Sequence, residues 1–183
     1  MKFEDVLHNG KLWAVVYDGD TQDILTMTLS EWLDPVALRA FFIQNRDDLL
    51  SSFHITNLDT AIMDTITDAA SLSEALMEAR SGAGLDGLFR PLENSRIQEM
   101  VLSREKAKGK RTSGHASWLR LYAIKLDKDI YLITGGTIKL TQKMCDRPHT
   151  RNELEKIELV RNRLLDLGIV DADGILDYNK TEI

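Results

Sequence analysis

The spacing of apolar residues changes near the middle of this chain, and no other feature of the sequence limits its fold as much. Up to residue 81, apolar residues recur mainly at helical spacing, whereas from residue 88 they form short β-branched and aromatic runs. Recurrence every three or four residues predicts helices, and short apolar runs bounded by turn residues predict strands. The glycine-rich stretch 82–87 separates the two regions. The sequence therefore predicts a largely helical first half and a sheet in the second half.

The first half is predicted to begin with strands and to continue with two helices. Residues 11–17 (KLWAVVY) predict a strand, and 24–29 predicts a second one that pairs with it as a hairpin. Asp34 followed by Pro35 is typical of a helix start, and Asn57 is typical of the next. The apolar stripes of these two helices are Leu38, Phe41, Phe42 and Leu49, followed by Leu58, Ala61, Ile62, Ile66, Ala69, Leu72 and Leu76.

The second half is predicted to contain three strands, at 88–92, 118–126 and 130–140. A tight turn around Asp127 favours an antiparallel hairpin between the last two strands. Gly135 and Gly136 interrupt the third strand and indicate a bulge or a close backbone approach. The intervening stretch 93–117 is polar, and part of it is expected to be helical.

A final helix is predicted after Pro148. Thr150 and Glu153 have the spacing of a capping box, and Gly168 is placed where a helix-terminating glycine belongs. Its apolar stripe is Leu154, Ile157, Val160, Leu164 and Leu165. Residues 169–183 show no periodicity and are expected to form an acidic tail.

These elements predict one α+β domain over residues 1–183, in the order strand, helix, helix, strands, helix. Such an order is typical of a mostly antiparallel sheet with its helices gathered on one face. Within this domain, 1–84 holds the N-terminal strand and helices, 85–168 holds the sheet and its helix, and 169–183 is the tail.

Composition places the chain among globular proteins of the cytoplasm. Hydrophobic residues make up 43% and charged residues 28% of the sequence, which excludes wholesale disorder. No apolar run approaches the roughly 20 residues needed to cross a bilayer, and the first residues are acidic where a signal peptide is basic and apolar. The lone cysteine, Cys145, fits a reducing compartment. We therefore expect a soluble, cytoplasmic protein with no membrane association.

Charge is distributed unevenly along the chain. Residues 1–87 hold 5 Lys and Arg against 15 Asp and Glu, residues 88–156 hold 15 against 8, and residues 157–183 hold 3 against 6. The basic middle segment indicates an anionic partner. The net charge of −6 and the pI near 5.2 argue in the other direction, because nucleic-acid-binding proteins are mostly basic.

Four segments of the second half stand out together, namely LFRPL (88–92), WLRLYAI (118–124), YLITGGTIKLTQKM (131–144) and HTRNELEKIELVRNRLL (149–165). Together they resemble the RelE/HigB superfamily of ribonuclease toxins, and the resemblance covers about residues 85–168. Members of this superfamily share a strand that holds Arg-x-x-Tyr, a following strand that ends in a lysine-bearing turn, and a helix packed beneath. The resemblance implies a RelE-like fold with a longer N-terminal helical part. It also implies a metal-independent endoribonuclease, without a cofactor, that cuts mRNA alone or on the ribosome. An antitoxin, often a helix-turn-helix protein, would neutralise it.

The resemblance also implies roles for particular residues. Arg120 and Lys139 would be catalytic, and His115 would transfer protons in the preceding loop. The RNA-binding cations would be Lys106, Lys108, Lys110, Arg111, Lys143 and Arg147. Arginine suits this chemistry because it binds a phosphate through two hydrogen bonds, while lysine supplies a point charge.

Several alternatives remain at this point. Arg120, His115 and the basic loop also fit ordinary surface or structural roles, and Lys139 also fits an exposed sheet edge that lysine protects from aggregation. A non-catalytic RelE-fold protein that binds RNA or a protein partner explains the same residues, as does an unrelated α+β interaction module.

The basic segment is expected to form one continuous basic surface, which joins the loop 104–111 with Arg120, Lys139, Lys143 and Arg147. The acidic residues are expected on the outer faces of the N-terminal helices.

Overall fold

The computed structural model describes residues 1–82, 84–92, 101–109 and 114–181 of the chain. Within these ranges it contains six strands and six α-helices. The strands are β1 Lys2–Asp5, β2 Leu12–Val16, β3 Phe89–Pro91, β4 Ser103–Lys108, β5 Leu119–Asp127 and β6 Ile130–Ile138. The helices are α1 Ile24–Leu33, α2 Pro35–Gln44, α3 Arg46–Phe53, α4 Leu58–Glu78, α5 Pro148–Asp166 and α6 Ala172–Thr181. The protein is thus α+β, as predicted.

All six strands form one mixed sheet in the order β1-β2-β6-β5-β4-β3. The predicted hairpin is confirmed, because β5 and β6 run antiparallel and Asp127 pairs with Ile130 at the turn. Every other neighbouring pair is antiparallel except β2 and β6, which run parallel. The sheet is therefore mostly antiparallel, with the N-terminal hairpin of β1 and β2 added beside β6.

Helices cover both faces of this sheet, so the prediction that they gather on one face is wrong. Gly135 and Gly136 are consecutive in β6 and so face opposite sides. A Cβ on Gly135 would meet Glu153 of α5, whereas a Cβ on Gly136 would meet Thr28 and Trp32 of α1. The N-terminal helices therefore pack on one face and α5 on the other. The register of β6 shifts beside Gly135, which confirms the predicted bulge. The atoms closest to the two glycines belong to side chains, not to another backbone.

In the N-terminal half the predicted helix starts are correct, but one strand is not. Asp34 and Asn57 both accept backbone hydrogen bonds as N-caps. The helix predicted after Asp34 is divided in two, however, because α2 ends at Gln44 and α3 follows after Asn45. Residues 24–29 form the start of α1 instead of a strand, because the Asp23 side chain accepts hydrogen bonds from the Leu25 and Thr26 amides.

The second half departs from prediction at two places. Residues 103–108 form β4, a strand that was not predicted, since two neighbouring strands pair with this segment. Much of the rest of 93–117, part of which was expected to be helical, lies outside the described residues. The expected acidic tail contains α6, whose Ile175 is buried and whose Tyr178 lies against Phe3. Gly168 has φ +70 and ends α5 as predicted, with the Ile169 amide donating to the Leu164 carbonyl.

The predicted capping box at the start of α5 is also wrong. Arg147 is the N-cap residue, and the Thr150 hydroxyl donates to backbone carbonyls instead of accepting from an amide. Glu153 is 5% exposed and packs against Gly135, with Oε1 accepting a hydrogen bond from Lys156 Nζ at 2.7 Å. Glu153 thus belongs to the packing of α5 on the sheet.

This buried carboxyl makes stability depend on pH. Burial raises the pKa of Glu153 above its ordinary value, and Lys156 offsets the rise only in part. The folded protein therefore binds this proton more tightly than the unfolded chain does. Its stabilising contribution is complete below the unfolded pKa of about 4.3 and is lost as pH rises through the folded pKa.

We accordingly expect Glu153→Gln to flatten the fall in stability between pH 4 and pH 7. The urea midpoint of the variant should exceed that of the wild type most at the upper end of this range. Glu155→Gln, on the exposed side of the same helix, is the matched control and should follow the wild-type curve. Parallel pH profiles for wild type and Glu153→Gln would contradict the assignment.

Candidate nucleic-acid interface

Strand alternation brings four cations to one side of the sheet. Lys106 and Lys108 are two residues apart in β4 and so share a face. Lys108 lies opposite Arg120 of β5, which in turn lies opposite Thr137 of β6. Lys139 follows β6 directly, and its amide donates to the Trp118 carbonyl. We call the site formed by Lys106, Lys108, Arg120 and Lys139 the cationic cleft.

The cationic cleft is a cavity of about 440 Å³. Tyr122 and Met144 line it beside the cations, with the tyrosine hydroxyl donating to the methionine Sδ at 2.9 Å. Leu154 and Glu158 of α5 form another wall. The cleft therefore offers cationic groups above a partly apolar floor, which suits a phosphodiester with an attached sugar or base.

The four cations disturb each other electrostatically. Burial lowers the pKa of Lys106, and the charges of Lys108 and Arg120 lower it further. The pKa of Lys108 is lowered first by Arg120 and then by burial. Lys139 follows the same pattern, since burial comes first and Arg120 and the two lysines add to it. Like charges held this close are relieved when an anion binds between them.

Hydrogen bonds hold three of these side chains in place. The Arg120 guanidinium donates from Nη1 to the carbonyls of Ser117 and Leu119, each at 2.7 Å. Lys106 Nζ donates to the Leu92 carbonyl at 2.8 Å, and Lys139 donates to the Gln142 carbonyl. In the part of the chain that the structure describes, none of the four cations forms an ion pair with a carboxylate. Their positive charge is thus available to a ligand.

Other residues predicted for the site lie elsewhere. His115 stacks on Trp118 and contacts Asp64 of α4 at 3.2 Å, so it belongs to the helical layer and does not line the cleft. Lys143 is exposed and also outside the lining. Lys110 and Arg111 lie outside the described residues. The structure therefore brings together Lys106, Lys108, Arg120 and Lys139 among the predicted residues.

The expected continuous basic surface is interrupted by acidic partners. Arg147 forms two hydrogen bonds of 2.6 Å with Asp48 of α3, and Arg104 pairs with Glu158 of α5. Asp48 is buried, contrary to the expectation that the acidic residues of the helices face outward. The prediction was therefore wrong for Arg147, which the N-terminal layer neutralises.

Sequence reasoning missed Tyr122 as part of the site. It stands two residues after Arg120, one fewer than in the Arg-x-x-Tyr pattern, and this spacing puts both side chains on the same face of β5. Arg90 of β3, opposite Lys106, was also missed, and its charge contributes to the lowered pKa of Lys108. The alternation of β5 would have identified Tyr122, whereas the position of Arg90 follows from the pairing of β3 with β4.

Comparison with known proteins adds no relative. No protein-family model, no curated protein and no solved structure matches the chain. Across the described ranges, none of the helices has both the length and the apolar character that a membrane crossing requires. Nor do three His, Cys, Asp or Glu side chains in those ranges converge as metal ligands would. The geometry of the cationic cleft is therefore the basis for a functional proposal.

Proposed function

We propose that the cationic cleft binds the sugar-phosphate backbone of single-stranded RNA and cuts it without a metal ion. The observation that carries this proposal is the convergence of Lys106, Lys108, Arg120 and Lys139 with no carboxylate paired to any of them among the described residues. A phosphate is the common biological group that such a cluster neutralises. In this proposal the protein is a RelE/HigB-like toxin of the cytoplasm, with mRNA, free or on the ribosome, as its substrate.

The chemistry would be attack of a ribose 2′-hydroxyl on the adjacent phosphorus. The 2′-oxygen bonds to phosphorus as its proton passes to a base, and the bond to the 5′-oxygen breaks as that oxygen gains a proton. The products are a 2′,3′-cyclic phosphate and a 5′-hydroxyl. Arg120 and Lys139 would stabilise the charge on the phosphorane oxygens. Because His115 lies outside the cleft, proton transfer falls to Lys106 and Lys108. One of them, as the neutral amine that a lowered pKa favours, would accept the 2′ proton, and the other, as the ammonium, would donate a proton to the 5′-oxygen.

A second candidate is a protein of the same architecture that binds RNA without cutting it. The specific observation in its favour is the lining of the cleft, which among the described residues contains no histidine and only one carboxylate, Glu158, which pairs with Arg104. The net charge of −6 also opposes association with a negatively charged ribosome. Under both candidates an antitoxin or other protein partner would be encoded by a reading frame beside this one.

Induced expression tests the proposal in cells. We expect the wild type to arrest growth and to leave new 5′ ends in cellular messages, and we expect Lys108→Ala combined with Lys139→Ala to do neither. Lys128→Ala is the matched control, because Lys128 is exposed in the β5–β6 turn and far from the cleft lining. Surface lysines contribute little to stability, so the melting temperatures of all forms should agree closely. Growth arrest by the double variant would contradict the assignment.

A labelled single-stranded RNA, incubated with the purified protein in EDTA, separates the two candidates. Cleavage with a cyclic phosphate end supports the ribonuclease, and binding without cleavage supports the binding protein. In either case, the salt dependence of binding should weaken in the double variant, by about 0.7 in slope for each lost phosphate contact. If neither binding nor cleavage is seen with RNA or with ribosomes, both candidates fail.

A further inference from the structure

A second and larger cleft opens where the parallel strands β2 and β6 part. β2 pairs with Tyr131, Leu132 and Ile133 of β6, and no described strand lies beside the rest of β6 on that edge. Helices α1 and α2 form one wall of this cleft, and the first half of α5 forms the other. Its volume is about 620 Å³, within the range of small-molecule sites. Clefts beyond the carboxyl ends of parallel strands commonly hold ligands.

A polar face of α5 lines this cleft. His149, Asn152, Glu153 and Lys156 follow one another at the spacing of a single helix face, and all four belong to the lining. An amphipathic helix ordinarily turns such a face to bulk water and buries the apolar one. Here the apolar stripe packs on the sheet, and the polar face borders a cavity. Of the four, Glu153 is buried, and a buried polar group needs hydrogen-bond partners.

The side chain of Glu153 contains a buried acceptor atom that has no hydrogen-bond partner. Its side chain is 6% exposed, and Oε1 accepts from Lys156 Nζ at 2.7 Å. Oε2 is buried with no hydrogen-bond partner in the described structure. The missing Cβ of Gly135 leaves the space that this oxygen occupies. Because the last torsion of a glutamate side chain is soft, the carboxyl group can turn Oε2 towards a donor in the cleft.

Two further acceptors border the same cavity. His149 Nε2 lies 3.1 Å from the Ile138 carbonyl, which can only accept, so this nitrogen carries the proton. Burial lowers the pKa of His149, and the neutral ring therefore has Nδ1 as an acceptor. Glu31 of α1 adds a carboxylate at the rim. The one cation in the described lining, Lys156, already contacts Glu153 and the ring of Tyr17.

Apolar and aromatic side chains complete the walls, chiefly Met27, Trp32, Leu38 and Phe41. Aromatic rings attract cations through their faces and pack against flat apolar groups. We infer that this cleft binds an organic cation, namely an amine, amidinium or guanidinium group attached to an apolar or aromatic body. The charged group would bind Glu153 and the rim carboxylate, and the body would lie against Trp32 and Phe41.

This site is separate from the cationic cleft and does not depend on the proposed ribonuclease function. The two cavities lie on different sides of α5, since Leu154 and Glu158 line the first, and Asn152, Glu153 and Lys156 line the second. Their electrostatic preferences are opposite, because one gathers unpaired cations and the other gathers acceptors. A ligand of one is not expected to compete for the other.

Three isosteric probes test the inference by titration calorimetry with the full-length protein. Benzamidine is a cation, benzamide is its neutral analogue and benzoate is the anion. We expect saturable binding of benzamidine, with benzamide and benzoate weaker by about tenfold or more, the difference that a hydrogen-bonded charge makes. Glu153→Gln should reduce benzamidine affinity by about the same factor, and Phe41→Leu should also weaken it.

Matched variants exclude indirect effects. Glu155→Gln on the exposed side of α5 and Lys108→Ala in the cationic cleft should bind benzamidine like the wild type. The inference is overturned if benzamide or benzoate binds as well as benzamidine, if Glu153→Gln leaves the affinity unchanged, or if no probe binds at millimolar concentration. If the wild-type protein binds benzamidine but does not cleave RNA, the ribonuclease proposal alone is rejected.

Discussion

Replacing Trp118 with alanine should cost about 3–5 kcal/mol of folding free energy, the range for removing a buried aromatic side chain. Trp118 is fully buried, and its indole Nε1 donates to the Thr65 hydroxyl of α4 at 2.9 Å. Phe42 and Phe53 meet the indole edge-on, and His115 stacks on it at a centroid distance of 4.2 Å. One side chain thus joins β5 to the N-terminal helices.

Urea unfolding measures this loss, and Trp118→Phe refines it. Phenylalanine retains much of the ring packing but removes the hydrogen bond to Thr65, so its cost should be smaller, about 1–2 kcal/mol. Met63→Ala on the exposed side of α4 is the control and should change stability by no more than about 0.5 kcal/mol. Since small proteins are stable by only about 5–15 kcal/mol, a loss of this size is a large share of the total. A cost below about 1 kcal/mol would show that Trp118 does not join the two layers.

Gly136→Ala should be strongly destabilising for a change of one methyl group. A Cβ at this position would lie 2.7 Å from the Thr28 methyl and 3.0 Å from two atoms of the Trp32 ring. Thr28 and Trp32 lie on the buried face of α1, so neither side chain can move freely. Overpacking of this kind costs about 1–3 kcal/mol, which corresponds to a fall in melting temperature of roughly 3–10 °C for a protein of this size.

Two matched substitutions test the cause of this loss. Gly87→Ala introduces the same methyl where no atom lies within 4 Å, and its melting temperature should stay near that of the wild type. Thr28→Ser removes the nearest methyl and should restore part of the stability of Gly136→Ala. If Gly87→Ala is equally destabilised, or if Thr28→Ser restores nothing, steric overlap with α1 is not the cause.

Local features of the sequence were the predictable part of the fold. The turn at Asp127, the caps at Asp34 and Asn57 and the glycine at Gly168 each act within a few residues, and the structure confirms all four. The segment 24–29 was misassigned because Ile24 and two threonines favour a strand locally, while the Asp23 cap decides for a helix. Position relative to the sheet was not predictable, because it depends on residues distant in the chain.

In the cationic cleft, too, local patterns were predictable and contacts between distant residues were not. Lys106 and Lys108 share a face by strand alternation, so their proximity to Arg120 required only that 103–108 be recognised as a strand. The pairing of Arg147 with Asp48 joins residues 99 positions apart, and no local pattern indicates it. The second cleft was likewise missed, because its walls come from α1, α2 and α5 and its floor depends on where β2 stops beside β6.

The pairing of β2 with β6 also sets the order in which the protein can fold. Leu12 pairs with Tyr131, so the N-terminal hairpin finds its place only after more than two-thirds of the chain has been synthesised. Contacts of such long range slow folding, because the entropy of a large loop is lost before the contact forms. During translation the free edge of β2 and the buried residues of the hairpin, such as Trp13 and Val15, remain open to other chains. A ribosome-bound chaperone that shields a strand edge should therefore raise the yield of folded protein more than one that acts after release.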